Sequence, residues 1–326
     1  MNEDQVIDRL CADFRDDFCE RLKLVKLCHK GDLDGDADGL LWHFTRFSIL
    51  QKILATRQIW LSDLAHSNDE NEVVYGVRRA KSVVDEISKP WSNRKHAETV
   101  VRLVKQAHRR FKKRFHIYAF SLTTEHDTVQ HWNGYGGGLH SCVDPDDPYI
   151  AIGFDSTALF YPLQLSSEQP PIYCINTVSG DDAADALIGY WAIKARRALE
   201  ILENPRIPIA ADRINDLFTR MLVLACSLVK NTGWKDENEY RLLYITERFG
   251  DEQVSLPRKP DGQGRYVRLR WEEDRSPIRA VIPHPLATAT FVKESLRASR
   301  GAKKIRIRRS ELKPRRKIER SPDGRQ

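Results

Sequence analysis

The chain has 326 residues, 41% of them hydrophobic and 30% charged, which is enough to bury a sizeable core and suggests roughly two domains. Its longest uncharged apolar run, residues 221–229, is far shorter than the ~20 residues of a membrane helix, and its acidic start has no apolar signal region. We therefore expect a cytoplasmic protein with no membrane partner. Six scattered cysteines form no C-x-x-C pair, which favours reduced, mostly buried thiols.

The net charge of +7 is concentrated near the C-terminus. Residues 300–325 hold twelve Lys or Arg against three acidic residues, a net +9 that leaves the rest of the chain slightly negative. A basic end of this kind is typical either of a solvated arm or of an electrostatic handle for nucleic acid or an anionic surface. As a handle, it would hold a polyanionic substrate near a site on the body of the protein.

The first segments predict a helix, a polar linker and a strand. Apolar residues at helical spacing predict an amphipathic helix over residues 4–29. The acidic loop from Asp34 to Gly39 matches the first half of a calcium loop, but Thr45 stands where a bidentate Glu belongs, so we prefer a linker. Residues 40–44 predict a short buried strand, after which Thr45 is expected to cap a helix.

Two more helices precede a change to β periodicity. The first follows a polar turn at 66–70 and is expected to bury Val73, Val77, Ala80 and Val84. The second, about residues 93–115, has a basic outer face formed by Arg102, Lys105, Arg109, Lys112 and Lys113. Residues 116–122 then predict a strand that leads into a long loop, Thr123 to Tyr149, rich in aromatic residues and glycine.

The rest of the chain mixes both element types without regular alternation. Strands are predicted at 149–155, 172–178, 240–246, 278–282 and 304–308, and a hairpin at 252–271. Helices are predicted at 182–202, 209–230 and 287–299. This order favours an α+β fold with mixed, mostly antiparallel sheets and flanking helices. We expect an N-terminal helix and linker (1–39), one α+β domain (40–310) and a basic tail (311–326).

A pair of carboxylates where a loop enters a late strand is the strongest chemical signal. Glu237, Glu239 and Arg241 are two residues apart, so in a strand they share one face. Two such carboxylates can divide labour, one stabilising a positive transition state while the other orients a nucleophile. The alternative is a row of ion pairs in which Glu239 is simply paired with Arg241. The scattered histidines lack ligand spacing, so no metal is predicted.

Several short motifs, in this order, resemble an uncharacterised bacterial family, domain of unknown function 2971. They are His43-Phe44-Thr45, Asn68-Asp69-Glu70, Phe120-Ser121, Trp132 with Tyr135-Gly136, Ile152-Gly153-Phe154, and Trp234 with Glu237-x-Glu239-Tyr240-Arg241. The resemblance covers roughly residues 40–310. The family carries no assigned activity, but its layout is similar to that of ADP-ribosyltransferases, which implies NAD as co-substrate.

The resemblance to ADP-ribosyltransferases implies a role for each motif. His43 on an early strand would orient the dinucleotide, and Ser121 or Tyr135 would occupy the middle position. Glu239, preceded by Glu237, would be the catalytic carboxylate, because breaking the bond between nicotinamide and ribose builds oxocarbenium character. Trp132 or Tyr135 would stack on the nicotinamide, and Thr45 either bonds its carboxamide or only caps a helix. Arg241 is a further residue expected to bind the cofactor.

Two hypotheses follow for the whole chain. The first is an NAD-using enzyme, similar to ADP-ribosyltransferases, that modifies nucleic acid or protein; by analogy, such an activity suits a bacterial toxin or phage defence. The second is a non-enzymatic nucleic-acid-binding or regulatory module that uses the basic helix and the basic C-terminal region. The first hypothesis requires His43 and Glu239 to face one crevice.

Overall fold

The computed structural model describes residues 39–66, 72–135, 144–160, 173–203, 211–230, 237–247, 264–272, 275–287, 289–297 and 302–312. The helix predicted over residues 4–29, the acidic loop before Gly39, most of the hairpin at 252–271 and the tail beyond residue 312 lie outside these ranges. Within them, every helix is too short or too polar to cross a membrane.

Two compact units, interleaved along the sequence, contain the described elements. The first takes its described residues from Ile59–Leu122 and Leu163–Arg270, and the second from Gly35–Gln58, Thr123–Pro162 and Trp271–Gln326. In chain order the elements are β1 (Leu40–Arg46), α1 (Phe47–Thr56), β2 (Gln58–Asp63), α2 (Glu72–Ile87), α3 (Arg94–Arg114), β3 (Phe115–Thr123), α4 (Val129–Tyr135), β4 (Tyr149–Asp155), α5 (Ser156–Phe160), β5 (Tyr173–Asn176), β6 (Val178–Ser179), α6 (Asp181–Leu202), α7 (Ala211–Leu228), β7 (Val229–Lys230), β8 (Glu239–Glu247), β9 (Tyr266–Arg270), β10 (Ile278–Pro283), α8 (Ala289–Arg297) and β11 (Arg306–Ile307). The single domain predicted over residues 40–310 stays a prediction.

The long helices of the first unit share one hydrophobic core. α2 packs against α3, α6 and α7, and buried residues of all four helices belong to the same cluster. The closest approach is at Gly76 of α2, where an added Cβ would overlap the carbonyl oxygen of Cys226 in α7. The buried stripe of α2 has the spacing that the sequence predicted: Val73, Val77, Ala80 and Val84.

In the first unit β8 lies between two neighbouring strands. β5 runs antiparallel to β8, with Asn176 opposite Tyr240, and β8 also pairs with β3. β2 runs antiparallel to β3. β6 and β7 form a separate parallel pair, with Ser179 opposite Lys230. The short strand β7 therefore fixes the backbone of Lys230 directly after the long helix α7.

The second unit has a sheet in the order β11-β10-β4-β1. β1 and β4 are antiparallel without a register break, from Leu40 opposite Asp155 to Arg46 opposite Tyr149. β10 is antiparallel to β4, whereas β11 is parallel to β10 and forms the described edge. α8 connects these two parallel strands. The fold is mixed, with mostly antiparallel sheets and flanking helices, which confirms the predicted α+β class.

The start of α1 corrects one prediction. Thr45 does not cap this helix: it lies in β1, and Arg46 holds the N-cap position without a side-chain cap. The pairing of β1 with β4 extends further than predicted, so the chain is still extended at Thr45. Asp147 supplies the cap instead, because its carboxylate accepts from the Ser48 amide at 2.7 Å and from the Ser48 hydroxyl at 2.9 Å.

Three further differences from the sequence prediction bear on the architecture. The long loop from Thr123 to Tyr149 contains the helix α4, and the strand predicted over 172–178 is divided into β5 and β6. The helix predicted over 209–230 ends at Leu228, and its last two residues form β7 instead. This third difference matters for the site, since β7 carries Lys230.

Candidate functional site

The predicted Glu-x-Glu pair lies where β8 begins in the first unit. Glu239 is the first residue of that strand, and Asn238 before it has a left-handed backbone with φ of 42°. Asn tolerates this conformation better than most residues. Glu237 and Glu239 are both buried, with 5% and 6% of their surface exposed, so each charge needs a partner.

Two basic residues neutralise this pair, and we call the four residues the buried ion-pair network (Lys230, Glu237, Glu239 and Arg241). Lys230 Nζ lies 2.5 Å from Glu237 Oε2 and 2.6 Å from Glu239 Oε2. Arg241 binds Glu239 in bidentate fashion, with Nε donating to Oε1 at 3.0 Å and Nη2 to Oε2 at 2.9 Å. Its Nη1 also donates to the Ser227 carbonyl at 2.8 Å. The pairing of Glu239 with Arg241, the alternative from the sequence, is thus present.

The network keeps Glu239 ionised. Burial by itself would raise the pKa of this carboxyl, but the charges of Arg241 and Lys230 and their hydrogen bonds hold it at about 2, against an ordinary value of 4.5. Glu239 is therefore a fixed negative charge at any pH near neutrality. Arg241 is equally constrained, being 2% exposed.

This ionisation predicts a loss of stability in acid. The folded pKa of Glu239 lies below the unfolded value, so its contribution is fully present above pH 4.5 and is lost as the pH falls from 4.5 towards 2. The shift corresponds to ~3 kcal/mol. We expect Glu239→Gln to remove about that much of the difference in unfolding free energy between pH 6 and pH 2, measured by urea denaturation.

A matched control isolates this effect from the other carboxylates. Glu272→Gln removes an exposed carboxylate of the second unit, and this variant should keep the acid dependence of the wild-type protein. An acid dependence in Glu239→Gln equal to that of the wild type would contradict the role given to the network.

The remaining predicted residue of the first unit lies on the strand next to β8. Ser121 is in β3, and its side chain is exposed although both its neighbours, Phe120 and Leu122, are buried. Phe120 and Leu122 lie on the opposite face of the strand from Ser121, as β alternation requires. An exposed hydroxyl on this strand is accessible to a ligand.

In the second unit, the residues predicted to bind the ligand lie on opposite sides of the strand β1. Because β1 pairs with β4 without a break, its side chains alternate strictly. His43 and Thr45 share one face, and both are half-buried. Trp42 and Phe44 are on the opposite face, where Trp132 packs against them. The structure therefore brings His43 together with Thr45 but not with Trp132.

Trp132 has no exposed surface in this structure. Its ring contacts Phe44 and His284 edge-on, at centroid distances of 4.9 and 5.1 Å, and its indole N–H donates to Asp127 Oδ1 at 2.7 Å. This is how a core anchor for α4 is held. Stacking of Trp132 on nicotinamide stays a prediction that requires the ring to be uncovered.

Tyr135 is the accessible aromatic residue of this segment. It ends α4, is 43% exposed, and stacks on His131 with ring centroids 6.3 Å apart. His131 in turn stacks on Phe44 at 5.1 Å. A ligand ring can reach Tyr135 without moving the core, so of the two predicted stacking residues Tyr135 needs less rearrangement.

Asp127 holds the C-terminal segment of the second unit and was not identified from the sequence. Its carboxylate accepts from the Trp132 indole, from the Ser310 hydroxyl at 2.8 and 2.9 Å, and from the Glu311 amide at 2.6 Å. Leu312 then packs against the apolar cluster under α4. Residues up to 312 are therefore folded onto the unit, which shortens the basic arm predicted from composition.

This arrangement predicts a large effect of removing the Asp127 carboxylate. Asp127→Ala leaves three donors without their acceptor. A hydrogen bond to a charged group contributes ~1.5–3 kcal/mol to stability. We expect a destabilisation of about 2–3 kcal/mol and faster amide hydrogen exchange at residues 305–312. Asp146→Ala, at an exposed position, should change neither quantity. Unchanged exchange in Asp127→Ala would contradict the anchor.

Lys230 is the network residue that sequence reasoning missed. A signal was available, because Lys230 directly follows the apolar run 221–229, and a lysine continuing such a run is buried and needs an anionic partner. In the described residues, no group of three or more His, Cys, Asp or Glu is arranged to hold a metal ion. The approach of His43 to Glu239 stays a prediction.

No protein-family model, curated protein or solved structure matches this chain. The likeness to domain of unknown function 2971 therefore depends on the motifs quoted above. The activity that this likeness implies depends on the same motifs and on the chemistry of their residues.

Proposed function

We propose that the protein is an ADP-ribosyltransferase-like enzyme that uses NAD to modify a macromolecular acceptor. The observation that carries the proposal is that Glu239, at the first position of a late strand, is a permanently ionised carboxylate. His43 on β1 and Ser121 on β3 have the early-strand and middle-strand positions that such enzymes use. These placements support the layout that the motifs suggested.

The chemical step requires a fixed negative charge beside the ribose. As the bond between C1′ and the nicotinamide nitrogen breaks, the electron pair leaves with nicotinamide and the ribose gains oxocarbenium character. The Glu239 carboxylate stabilises this positive charge, and an acceptor nucleophile then bonds to C1′. Glu237 orients the nucleophile and takes its proton.

Binding of NAD is assigned to the remaining predicted residues. His43 donates to a ribose hydroxyl, and Thr45 lies on the same face of β1, within reach of the same ligand. The nicotinamide ring is assigned to Tyr135, with Trp132 behind it in the same helix. Because both lie on the Phe44 face of β1, opposite His43, one dinucleotide contacts all of them only if this segment rearranges. Arg241 acts as a positioning residue, because its bidentate contact fixes the orientation of Glu239.

For substrate to reach Glu239, one of its two cationic partners, Lys230 or Arg241, has to move away from the carboxylate. Arg241 is held by a planar bidentate contact and by a backbone carbonyl, whereas Lys230 contacts the carboxylates through a single ammonium on a flexible stem. We assign the movement to Lys230, which can stay with Glu237 while one oxygen of Glu239 turns to the ribose. The positive charge that develops on the ribose in the transition state then replaces the ammonium charge at that oxygen.

The test is transfer of label from NAD to candidate protein and nucleic-acid acceptors. Glu239→Gln keeps the size of the side chain but removes its charge, and we expect transfer to fall by about a hundredfold or more, as for other groups that stabilise transition-state charge. Glu272→Gln is the matched control and should retain full transfer. Equal transfer by wild type and Glu239→Gln, or equal absence of it, would refute the assignment.

A further inference from the structure

An open groove in the second unit carries cations on both of its walls. It has a volume of about 590 Å³ and lies between α8 and the segment that contains β11. Lys293 and Arg297 line it from the helix, and Arg309 from the opposite segment. All three side chains are exposed. We call this feature the basic groove.

Within the described part of the chain, the charged side chains that line the basic groove are all positive. Among the described residues that line it, the others are small or apolar apart from the hydroxyl of Thr290, and none carries a carboxylate or an amide: Ala289, Thr290, Leu296, Ala302, Ile305 and Ile307. The helix α8 has no acidic residue in its first turn, which also lines the groove and adds the positive end of the helix dipole. The groove therefore attracts negative charge along its length.

The positions of the cations favour a chain of phosphates over a single anion. Lys293 and Arg297 are one helical turn apart, about 6 Å along the axis, and Arg309 stands on the other wall. Basic residues continue along the same segment in the sequence, from Lys303 to Arg309. Arg308 does not line the groove, since its guanidinium lies over the Trp42 ring at 5.6 Å.

We propose that the basic groove binds the phosphodiester backbone of a nucleic acid. Cations that meet phosphates give affinity without sequence information, whereas reading of adenine or cytosine uses Asn, Gln, Asp or Glu side chains, which are missing from the described residues of the lining. The affinity is therefore carried by phosphate contacts and is sensitive to salt. The site is independent of NAD chemistry, and it places nucleic-acid contact on a folded surface rather than only on the basic tail.

The test measures binding of a fluorescent 20-nucleotide DNA, single-stranded and duplex, to the full chain over a range of salt. The groove variant is Lys293→Gln, Arg297→Gln and Arg309→Gln together. Losing three phosphate contacts should weaken binding about 10- to 100-fold near 100 mM salt and make the slope of log K against log salt shallower by ~2–3. Circular dichroism confirms folding, which exposed substitutions should not alter.

A matched variant removes the same charge elsewhere. Arg102→Gln, Lys105→Gln and Arg109→Gln neutralise the basic face of α3 in the first unit and should leave the affinity and the salt slope close to wild type. Binding lost in this variant but kept in the groove variant would overturn the proposal. If both variants bound DNA as tightly as the wild type, the proposal would also be overturned, because the affinity would then come from other parts of the chain.

Competition with inorganic tripolyphosphate tests whether the groove binds the phosphates of a nucleic acid or those of a free polyphosphate. We expect tripolyphosphate to compete with DNA only weakly, because it offers far fewer phosphates than a 20-nucleotide strand. Tight binding of tripolyphosphate that depends on Arg309, with no DNA binding, would overturn the nucleic-acid assignment. Should the triple variant fail to fold, Arg309→Gln alone should make the salt slope shallower by about 0.9, and an unchanged slope would refute the site.

Discussion

Replacing Arg241 with methionine is expected to lower the free energy of unfolding by about 3–5 kcal/mol, the usual effect of removing one member of a buried ion pair. The guanidinium makes two hydrogen bonds to Glu239 and one to the Ser227 carbonyl, and it is almost fully buried. The variant leaves Lys230 as the cation beside Glu239 and removes the donor to the Ser227 carbonyl. Urea denaturation at pH 7 measures the loss.

Two further variants show whether the loss arises from the pair. Arg270→Met removes an exposed arginine from β9 of the same unit and should change the stability by less than about 0.5 kcal/mol. In the double variant Arg241→Met, Glu239→Gln, part of the loss should be recovered, because no charge is left facing an apolar side chain. A loss in Arg241→Met no larger than that in Arg270→Met would contradict the account of the network.

The second large effect is expected at the contact between α2 and α7. Gly76→Ala places a methyl group against the carbonyl oxygen and carbon of Cys226, and backbone cannot move aside as a side chain can. The helices must separate, so the variant should lose ~3 kcal/mol or more, the upper end for overpacked cores. Thermal and urea unfolding both measure this change.

A second helical glycine provides the matched control. At Gly189 of α6 the nearest atom to an added Cβ is Ile87 Cδ1, at 4.0 Å, which is ordinary contact. Gly189→Ala should therefore be neutral or stabilising by up to ~1 kcal/mol, because alanine favours helix. Equal effects of the two substitutions would show that Gly76 is not a close-packing position.

The elements that the sequence predicted well are those with a local cause. The stripe from Val73 to Val84 follows helical spacing, so both the helix and its buried face could be derived. The strand at residues 149–155 has β-branched and aromatic content between turn signals and was predicted with its observed ends. The cap of the next helix is also local, since the Asp155 carboxylate accepts from the Ala158 amide at 3.1 Å.

The features that the sequence did not predict depend on residues distant in the chain. Asp147 caps a helix that begins about a hundred residues earlier, so the adjacent Thr45 was chosen wrongly. Lys230 was placed in a helix, because nothing local marks the point where α7 gives way to the pairing of β7 with β6. Asp127 similarly serves residues near the C-terminus.

For the candidate site, residue types were predictable but their surroundings were not. Spacing put Glu237, Glu239 and Arg241 on one face, and these three residues do converge. Burial of all three and the ammonium of Lys230 between the carboxylates come from packing of the whole unit. Alternation along β1 puts His43 and Phe44 on opposite faces of the strand. The sequence does not show that Trp132 of α4 packs against Phe44, so it could not show that Trp132 lies on the face opposite His43.

The measurement that tests the proposed function most directly is titration of the full chain with NAD, since binding needs no acceptor. We predict saturable binding with a Kd below about 1 mM, the usual range for such substrates. Glu239→Gln should bind about as tightly as wild type, because the carboxylate acts in the transition state, whereas His43→Ala should bind about tenfold more weakly. Absence of saturable NAD binding by the wild-type protein would contradict the proposal.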